Sequence, residues 1–237
     1  KWGYNHLVLL AQNKTGYNNL MKLVSIGYLE GFYYRPRVDK KLLKKYNEGL
    51  ICTSGCLAGE INQFASQNDY ESAKKAALEY AEIFPGRFYI EIQNHQIPEE
   101  LATHSLLIKL SEELNIPLIA TNDCHYSHEE HSDAHDTLFC LGMGKDKNDV
   151  NRPKYAEKQF YIKSLDEMHA LFKDLPGAIE NSLRISEQCN VTIDMGQYHL
   201  PNFPIPDTTS LQNPDDYLKK ICMDGLHNKY KEEHHAH

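Results

Sequence analysis

Apolar runs and amphipathic stretches alternate along the first half of the chain. Short apolar runs bounded by turn-forming residues predict four β-strands, at residues 6–11, 49–53, 88–92 and 117–121. Apolar residues at helical spacing predict helices that begin at Gly16, Asp69 and Glu99, with a short basic helix at residues 42–46. Strands that are each followed by a helix are typical of a parallel sheet with right-handed crossovers. We therefore predict an α/β fold with a barrel-like arrangement, in which the chemistry lies where strands end.

The boundaries of several helices can be predicted from single residues. Asp69 is a predicted N-cap, and Pro85 is predicted to end the helix that Asp69 begins. Ser164-Leu-Asp-Glu167 has the pattern of a capping box and predicts a helical segment that extends to Cys189. Pro214 is predicted to begin the last helix.

The character of the chain changes after Gly144, which predicts a division into three parts. Residues 1–144 form the predicted main domain, 145–199 a helical extension that opens with a polar loop, and 200–237 a proline-punctuated linker with the last helix. The chain does not begin with methionine and its end falls close to a helical pattern, so we expect a fragment of a longer protein. The last three histidines are left out of the site prediction.

Charge, hydropathy and cysteine content bear on whether the protein is nucleic-acid-binding, membrane-spanning, secreted or cytoplasmic. Thirty-three acidic residues against 25 lysines and arginines give a formal charge of −8, which does not support a generally basic nucleic-acid-binding face but is compatible with a local basic groove. The sequence contains no membrane-spanning apolar run and no signal-peptide pattern. The six cysteines form no C-x-x-C pair, and we predict reduced thiols in a cytoplasmic protein.

The end of the fourth predicted strand carries Asp123 and His125. Residues two apart on a strand share one face, so both side chains are expected to point the same way, together with Thr121. A carboxylate and an imidazole that converge in this way suit a divalent metal site or an acid–base pair. The alternative is a solvated turn in which Asp123 binds nearby backbone amides.

Other polar positions are open to more than one interpretation. The segment 53–60 (TSGCLAGE) could bind an anion, present the Cys56 thiolate to a metal or simply form a strand-to-helix turn, and the residues alone favour the turn. A catalytic pair of Cys56 and His125 is conceivable, whereas His95 is expected to be a satisfied loop histidine. The remaining histidines at 128, 131 and 135 lack the H-E-x-x-H pattern and are expected on a helix. Neither a G-x-S-x-G elbow nor a phosphate-binding P-loop is present.

Taken together, the motifs resemble a known family. The ordered set is similar to the PHP (polymerase and histidinol phosphatase) domain of the alpha subunits of bacterial DNA polymerase III. The matching segments are 6–11 (HLVLLA), 16–20 (GYNNL), 31–37 (GFYYRPR), 53–60 (TSGCLAGE), 89–95 (YIEIQNH), 120–126 (ATNDCHY), 134–144 (AHDTLFCLGMG) and 200–204 (LPNFP). The resemblance implies part of a distorted (β/α)7 PHP barrel, followed by a helical segment and a linker toward a palm domain.

The resemblance also implies a metal site at the barrel rim. Carried over by position, His6, Cys56, Asp123 and His125 would be ligands of divalent metals, and His95 lies near the rim without being expected to bind. Zinc, iron and manganese all suit this ligand set. The family's H-x-H strand, T-D-H-G turn and glutamate-bearing strand do not occur here, nor do the glycine- and serine-rich segment and D-x-D pair of the magnesium-binding palm. We therefore expect this chain by itself not to polymerise DNA.

The implied function is that of a piece of a replicative DNA-directed DNA polymerase, a nucleotidyltransferase of DNA replication. Its PHP site would support metal-dependent 3′–5′ exonuclease proofreading, and its partners would be primer–template DNA, the sliding clamp and a proofreading subunit. The first alternative is a catalytically inert PHP scaffold that docks a separate proofreading subunit. The second is a stand-alone PHP-type phosphoesterase, which the polymerase-type segments at 31–34 and 200–204 disfavour.

Overall fold

The computed structural model describes residues 3–155, 157–198 and 200–230. Contacts divide the chain between Thr192 and Ile193 into two compact units, each of which is described by itself. The strands in the described residues are β1 (Val8–Ala11), β2 (Leu50–Thr53), β3 (Phe88–Gln93) and β4 (Leu118–Thr121). The helices of the first unit are α1 (Lys14–Leu29), α2 (Lys40–Lys45), α3 (Glu60–Ser66), α4 (Tyr70–Ile83), α5 (Pro98–Leu114), α6 (Ser132–Met143), α7 (Leu165–Leu171) and α8 (Pro176–Gln188).

The strands form one sheet in the order β1-β2-β3-β4. β3 pairs in parallel with both β2 and β4, as predicted. The prediction of an all-parallel sheet is wrong for β1, which pairs antiparallel to β2 with Val8 opposite Thr53. Strand direction depends on long-range pairing, and apolar runs as short as these do not reveal it. The antiparallel direction brings the amino end of β1 to the edge where the carboxyl ends of β2, β3 and β4 lie.

Both faces of the sheet are covered, which explains the continuous apolar strands. Cys52 and Ile90 lie in a core cluster with residues of α3, α4 and α5. The neighbouring strand residues Ile51 and Tyr89 lie in another cluster with Ile185 of α8. All six residues of β3 are buried, as expected for a strand between two layers of helices. The predicted α/β class is therefore confirmed.

Several predicted helix ends are confirmed. The Asp69 side chain caps α4 by accepting a hydrogen bond from the Ser72 backbone N–H, and the helix ends at Ile83, two residues before Pro85. Ser164 and Glu167 form the predicted capping box of α7. The helical segment that follows separates into α7 and α8, with proline in the first turn of α8.

The second unit contains the predicted last helix, α9 (Pro214–Lys229), in its described part. The described residues of this unit that precede α9 have no helix or strand, and Phe203 stacks on Tyr217 with ring centroids 5.8 Å apart. The domain boundaries at 144/145 and 199/200 stay predictions, and residue 199 and the terminal histidines lie outside the described residues. No helix in the described ranges is both long and apolar enough to cross a membrane.

Candidate metal centre

The first pair of predicted ligands consists of His6 and Cys56. His6 precedes β1, and its backbone N–H donates to the Ala58 carbonyl at 3.0 Å, which ties it to the loop after β2. Its Nδ1 lies 3.5 Å from the Cys56 Sγ. The imidazole and the thiol therefore meet although 50 residues separate them in sequence.

Glycine shapes the loop that carries Cys56. Gly55 has φ +76°, and a Cβ there would lie 3.0 Å from the His6 carbonyl oxygen. This left-handed conformation favours glycine, and the close approach leaves little room for a side chain. Asn62 of α3 donates to the Gly55 carbonyl at 3.1 Å and holds the loop against the helix.

The second pair of predicted ligands consists of Asp123 and His125. Asp123 Oδ2 lies 3.5 Å from His125 Nε2, so the two side chains do converge. The predicted cause is wrong, because β4 ends at Thr121 and Asp123 adopts φ +39°, in the left-handed region. A turn rather than strand alternation brings the carboxylate to the imidazole, and Thr121 instead donates to Glu91 inside the sheet.

Neighbouring backbone fixes the turn at Asp123. The His125 N–H donates to the Phe160 carbonyl at 2.8 Å. Asn122 donates through Nδ2 to the carbonyls of Gln159 and Tyr161, at 3.1 and 2.6 Å. The loop of the second pair is thus held by a segment almost 40 residues further along the chain, which sequence spacing does not predict.

His95 lies directly behind this turn and is fully buried. Its Nε2 lies 2.8 Å from the Asn122 carbonyl, and its Nδ1 lies 2.7 Å from Glu100 Oε1. The ring stacks on Phe160 at 4.0 Å. Because a carbonyl can only accept, Nε2 carries a hydrogen, and both ring nitrogens are engaged. His95 is satisfied as predicted, and in this arrangement neither ring nitrogen is free to bind a metal.

Tyr155 contacts the second pair and interacts electrostatically with Cys56 of the first. Its hydroxyl lies 3.3 Å from His125 Nε2, and burial together with the negative charges of Asp123 and Cys56 raises its pKa. The pKa of the Cys56 thiol is also raised, mainly by burial and further by the charges of Asp123 and Glu91. These mutual effects show that the two pairs share one electrostatic environment. A raised thiol pKa also disfavours a nucleophilic thiolate, and Cys56 contacts His6 rather than His125.

Glu91 is a residue that the sequence predictions missed. It lies on β3, is 5% exposed, and accepts hydrogen bonds from Thr53, Gln93 and Thr121. These three hydrogen-bond partners are neutral and do not offset the negative charge of Glu91. That charge contributes to the raised pKa of Cys56. The signal was present as a single acidic residue inside an otherwise apolar strand.

The donor set fits a transition metal in its chemistry. One thiol, two imidazoles and one carboxylate are ligand types that zinc, iron and manganese accept. The side chains of His125 and Asp123 are 32% and 40% exposed, so the rim is open to solvent. Within the part of the chain that is described, no group of three or more His, Cys, Asp or Glu side chains has metal-binding geometry. The structure thus brings the predicted ligands together as two pairs rather than as a closed cluster.

The other histidines lie around a helix as expected. His128 and His131 are exposed and contact each other, with ring centroids 5.2 Å apart. His135 on α6 lies closer to the site, with its ring 5.6 Å from that of His125. Burial and the neighbouring His125 lower the pKa of His135.

Comparison with known protein families gives a match that includes the first pair of predicted ligands. Residues 2–95 match the family described as PHP domain. Over this range the chain is similar to PHP domains. PHP domains form a metal-dependent family. The match includes His6 and Cys56 and ends at His95, before the second pair.

Similarity to longer proteins continues past the residues that match the PHP domain. The chain is 46% identical to the DNA polymerase III subunit alpha of Borreliella burgdorferi over 227 residues, 95% of the chain. Identity to the subunits of Campylobacter jejuni and Thermus aquaticus is 41% and 36%, over 95% and 96% of the chain. The chain spans about a fifth of the length of these relatives (20%, 21% and 19%).

Proposed function

We propose that this chain is part of the alpha subunit of a bacterial DNA polymerase III, a DNA-directed DNA polymerase of the cytoplasm. The observation that carries the proposal is the similarity to such subunits over 95% of the chain. Polymerisation with magnesium would take place in a palm domain, whose motifs this sequence does not contain. Primer–template DNA, the sliding clamp and a proofreading subunit would be the partners of the whole protein.

Within this protein, His6, Cys56, Asp123 and His125 would hold divalent metals at the PHP rim. The support is geometric, since each pair is in contact at 3.5 Å and Asp123 acts electrostatically on Cys56. Zinc, manganese and iron remain the candidates. Because the Cys56 thiol has a raised pKa, metal binding would displace its proton, and metal uptake would release protons from the site.

The reaction would be metal-dependent 3′–5′ exonuclease cleavage. Bound metals would supply activation of water and stabilisation of charge on the phosphodiester. The chain itself contributes an open rim, which lets a DNA end approach His125 and Asp123, and a rigid support. That support is the buried His95, which fixes the Asn122 carbonyl immediately before Asp123.

Metal content tests this proposal. In the full-length protein we expect two or three equivalents of zinc, manganese or iron by elemental analysis, with clear loss in His125→Ala. His128→Ala is the matched control, because His128 is an exposed histidine of the same segment outside the site. Background metal in the unchanged protein, or equal loss in both variants, would contradict the proposal.

A scaffold that docks a separate proofreading subunit is the second candidate, and exposed aromatic residues favour it. Tyr28 and Phe32 are 60% and 56% exposed, and Tyr34 is 84% exposed. Exposed aromatic groups of this kind suit a protein partner. Co-purification of an exonuclease with the full-length protein, lost on Phe32→Ser and retained on Leu29→Ser, would support this function over an active PHP site.

A further inference from the structure

A cavity of about 250 Å³ opens beside the candidate metal centre. One wall is α6, with His135 and Asp136. The other consists of Arg152, Lys154, Tyr155, Glu157 and Lys158. Tyr155 belongs to the cavity lining and also contacts His125, so it forms the partition between the cavity and the rim. A ligand in this cavity would therefore lie next to the metal centre.

Most of the acidic charge in the cavity wall is already neutralised. Asp136 accepts two hydrogen bonds from the Arg152 guanidinium, both at 2.6 Å. Asp133 is paired with Lys147 at 2.6 Å. In the described ranges, the ammonium groups of Lys154 and Lys158 have neither a hydrogen bond nor an ion pair. Lys154 acts on Asp136 through charge alone, so two ammonium groups without a hydrogen bond remain for a ligand, opposed by the carboxylate of Glu157 in the cavity lining.

Aromatic rings complete the cavity. Tyr126, His135 and Tyr155 line it, and the His135 ring lies 5.3 Å from Tyr126 and 5.1 Å from Tyr155. Unpaired cations beside aromatic rings are the combination by which proteins hold single-stranded nucleic acid, with ammonium groups on phosphates and rings against bases. The combination is local, because the chain as a whole carries a charge of −8.

We propose that this cavity binds the 3′-terminal nucleotide of single-stranded DNA, with Lys154 and Lys158 on its phosphate and Tyr155 against its base. The volume is just below the range of about 300–1,000 Å³ that small-molecule sites occupy, which suits one nucleotide rather than a longer strand. That phosphate is the terminal phosphodiester, and the contact of Tyr155 with His125 keeps it next to the PHP rim. The inference rests on the proposed function, because the nucleotide bound in the cavity would be the one that the proposed exonuclease removes.

Photocrosslinking tests the proposal without requiring cleavage. Oligonucleotides that carry 5-iododeoxyuridine at either the 3′ or the 5′ end are irradiated with the full-length protein in chelator, and crosslinks are mapped by mass spectrometry. We expect the 3′ probe to crosslink to Tyr155 or Tyr126, and the 5′ probe to do so much less. Competition by a deoxynucleoside monophosphate but not by inorganic phosphate would show that a nucleotide, rather than any phosphate, is bound.

Charge variants sharpen the test. Lys154→Glu with Lys158→Glu should lower the crosslink yield about tenfold, because both phosphate contacts are reversed. Lys145→Glu with Lys173→Glu is the matched control, since it also reverses two exposed lysines but neither of them lines the cavity. Glu157→Gln should raise the yield. Circular dichroism of each variant checks that it is folded.

The outcomes separate this proposal from the proposed function. Crosslinks that map outside the cavity, equal yields from both probes or equal loss in the double-lysine control would overturn it. Crosslinking at Tyr155, together with only background metal in the protein as isolated, would sustain the cavity while contradicting the exonuclease. Metal binding and DNA cleavage without crosslinks at the cavity would support the exonuclease and overturn the proposed nucleotide site.

Discussion

At the scale of single residues, the candidate centre depends on support from side chains that would not themselves bind metal. His95 joins the Glu100 carboxylate to the Asn122 carbonyl, and Asn122 immediately precedes the left-handed Asp123. A non-glycine residue in this conformation is strained and persists where the surroundings hold it. The geometry of the second ligand pair is therefore a property of the buried network behind it.

His95→Ala tests this dependence. The change leaves the Glu100 carboxylate buried without its imidazole and the Asn122 carbonyl without its donor, which should lower the free energy of unfolding by about 3–5 kcal/mol. Urea unfolding measures the effect. His104→Ala is the control, because half-buried His104 makes one hydrogen bond, to the Gln93 carbonyl, and should cost only about 1 kcal/mol. Equal costs for the two variants would contradict the special role of His95.

Residue spacing predicted that Asp123 and His125 converge, but not what surrounds them. Asp123 and His125 were identifiable because both are close in sequence and follow an apolar run. Tyr155 was not, because it reaches His125 from 30 residues away through the course of a polar loop. The ligand assignment itself came from resemblance to a family and stays a prediction, since the pairs do not form a closed cluster.

At the scale of secondary-structure elements, local signals were reliable and long-range pairing was not. The Asp69 cap and the Ser164 capping box are encoded within four residues and were predicted. The antiparallel direction of β1 depends on its partner β2, some 40 residues away, and was missed. That direction has a functional consequence, because it carries His6 to the edge where Cys56 and Asp123 lie.

The capping box of α7 predicts a pH dependence. Hydrogen bonds from Tyr161 and from the Ser164 backbone and hydroxyl lower the pKa of Glu167 from 4.5 to about 2. A carboxyl group with a depressed pKa stabilises the folded state above its unfolded pKa, and this contribution is lost as the pH falls from about 4.5 to about 2. The urea midpoint of the unchanged protein should therefore exceed that of Glu167→Gln at neutral pH.

The difference between the two midpoints should shrink through this acidic range and vanish near its lower end. Glu187→Gln serves as the control, because Glu187 is exposed near the end of α8 and should show no such pH-dependent difference. A midpoint difference for Glu167→Gln that persists unchanged at the acidic end would contradict the linkage.

At the scale of the whole molecule, the sheet explains why one edge holds so many polar side chains. Three parallel strands end at this edge and one antiparallel strand begins there, so the loops after β2, β3 and β4 meet the residue before β1. Helices cover both faces of the sheet, which leaves this edge as a place where polar groups reach solvent. The candidate centre and the adjacent cavity both lie in the first unit, whose residues end at Thr192.

Limited proteolysis tests whether the first unit is self-sufficient. Tyr198 is 95% exposed in a segment without helix or strand, and its neighbours Leu200 and Phe203 are each followed by proline, which blocks chymotrypsin. We expect the first chymotryptic cut after Tyr198, abolished in Tyr198→Ser, with the amino-terminal fragment retaining its folded circular dichroism spectrum. Exposed Tyr34 is the competing site, but a bridge between Tyr33 and Arg35 restrains its loop. A first cut after Tyr34, or unfolding of the fragment that ends at Tyr198, would contradict the independence of the unit that carries the centre.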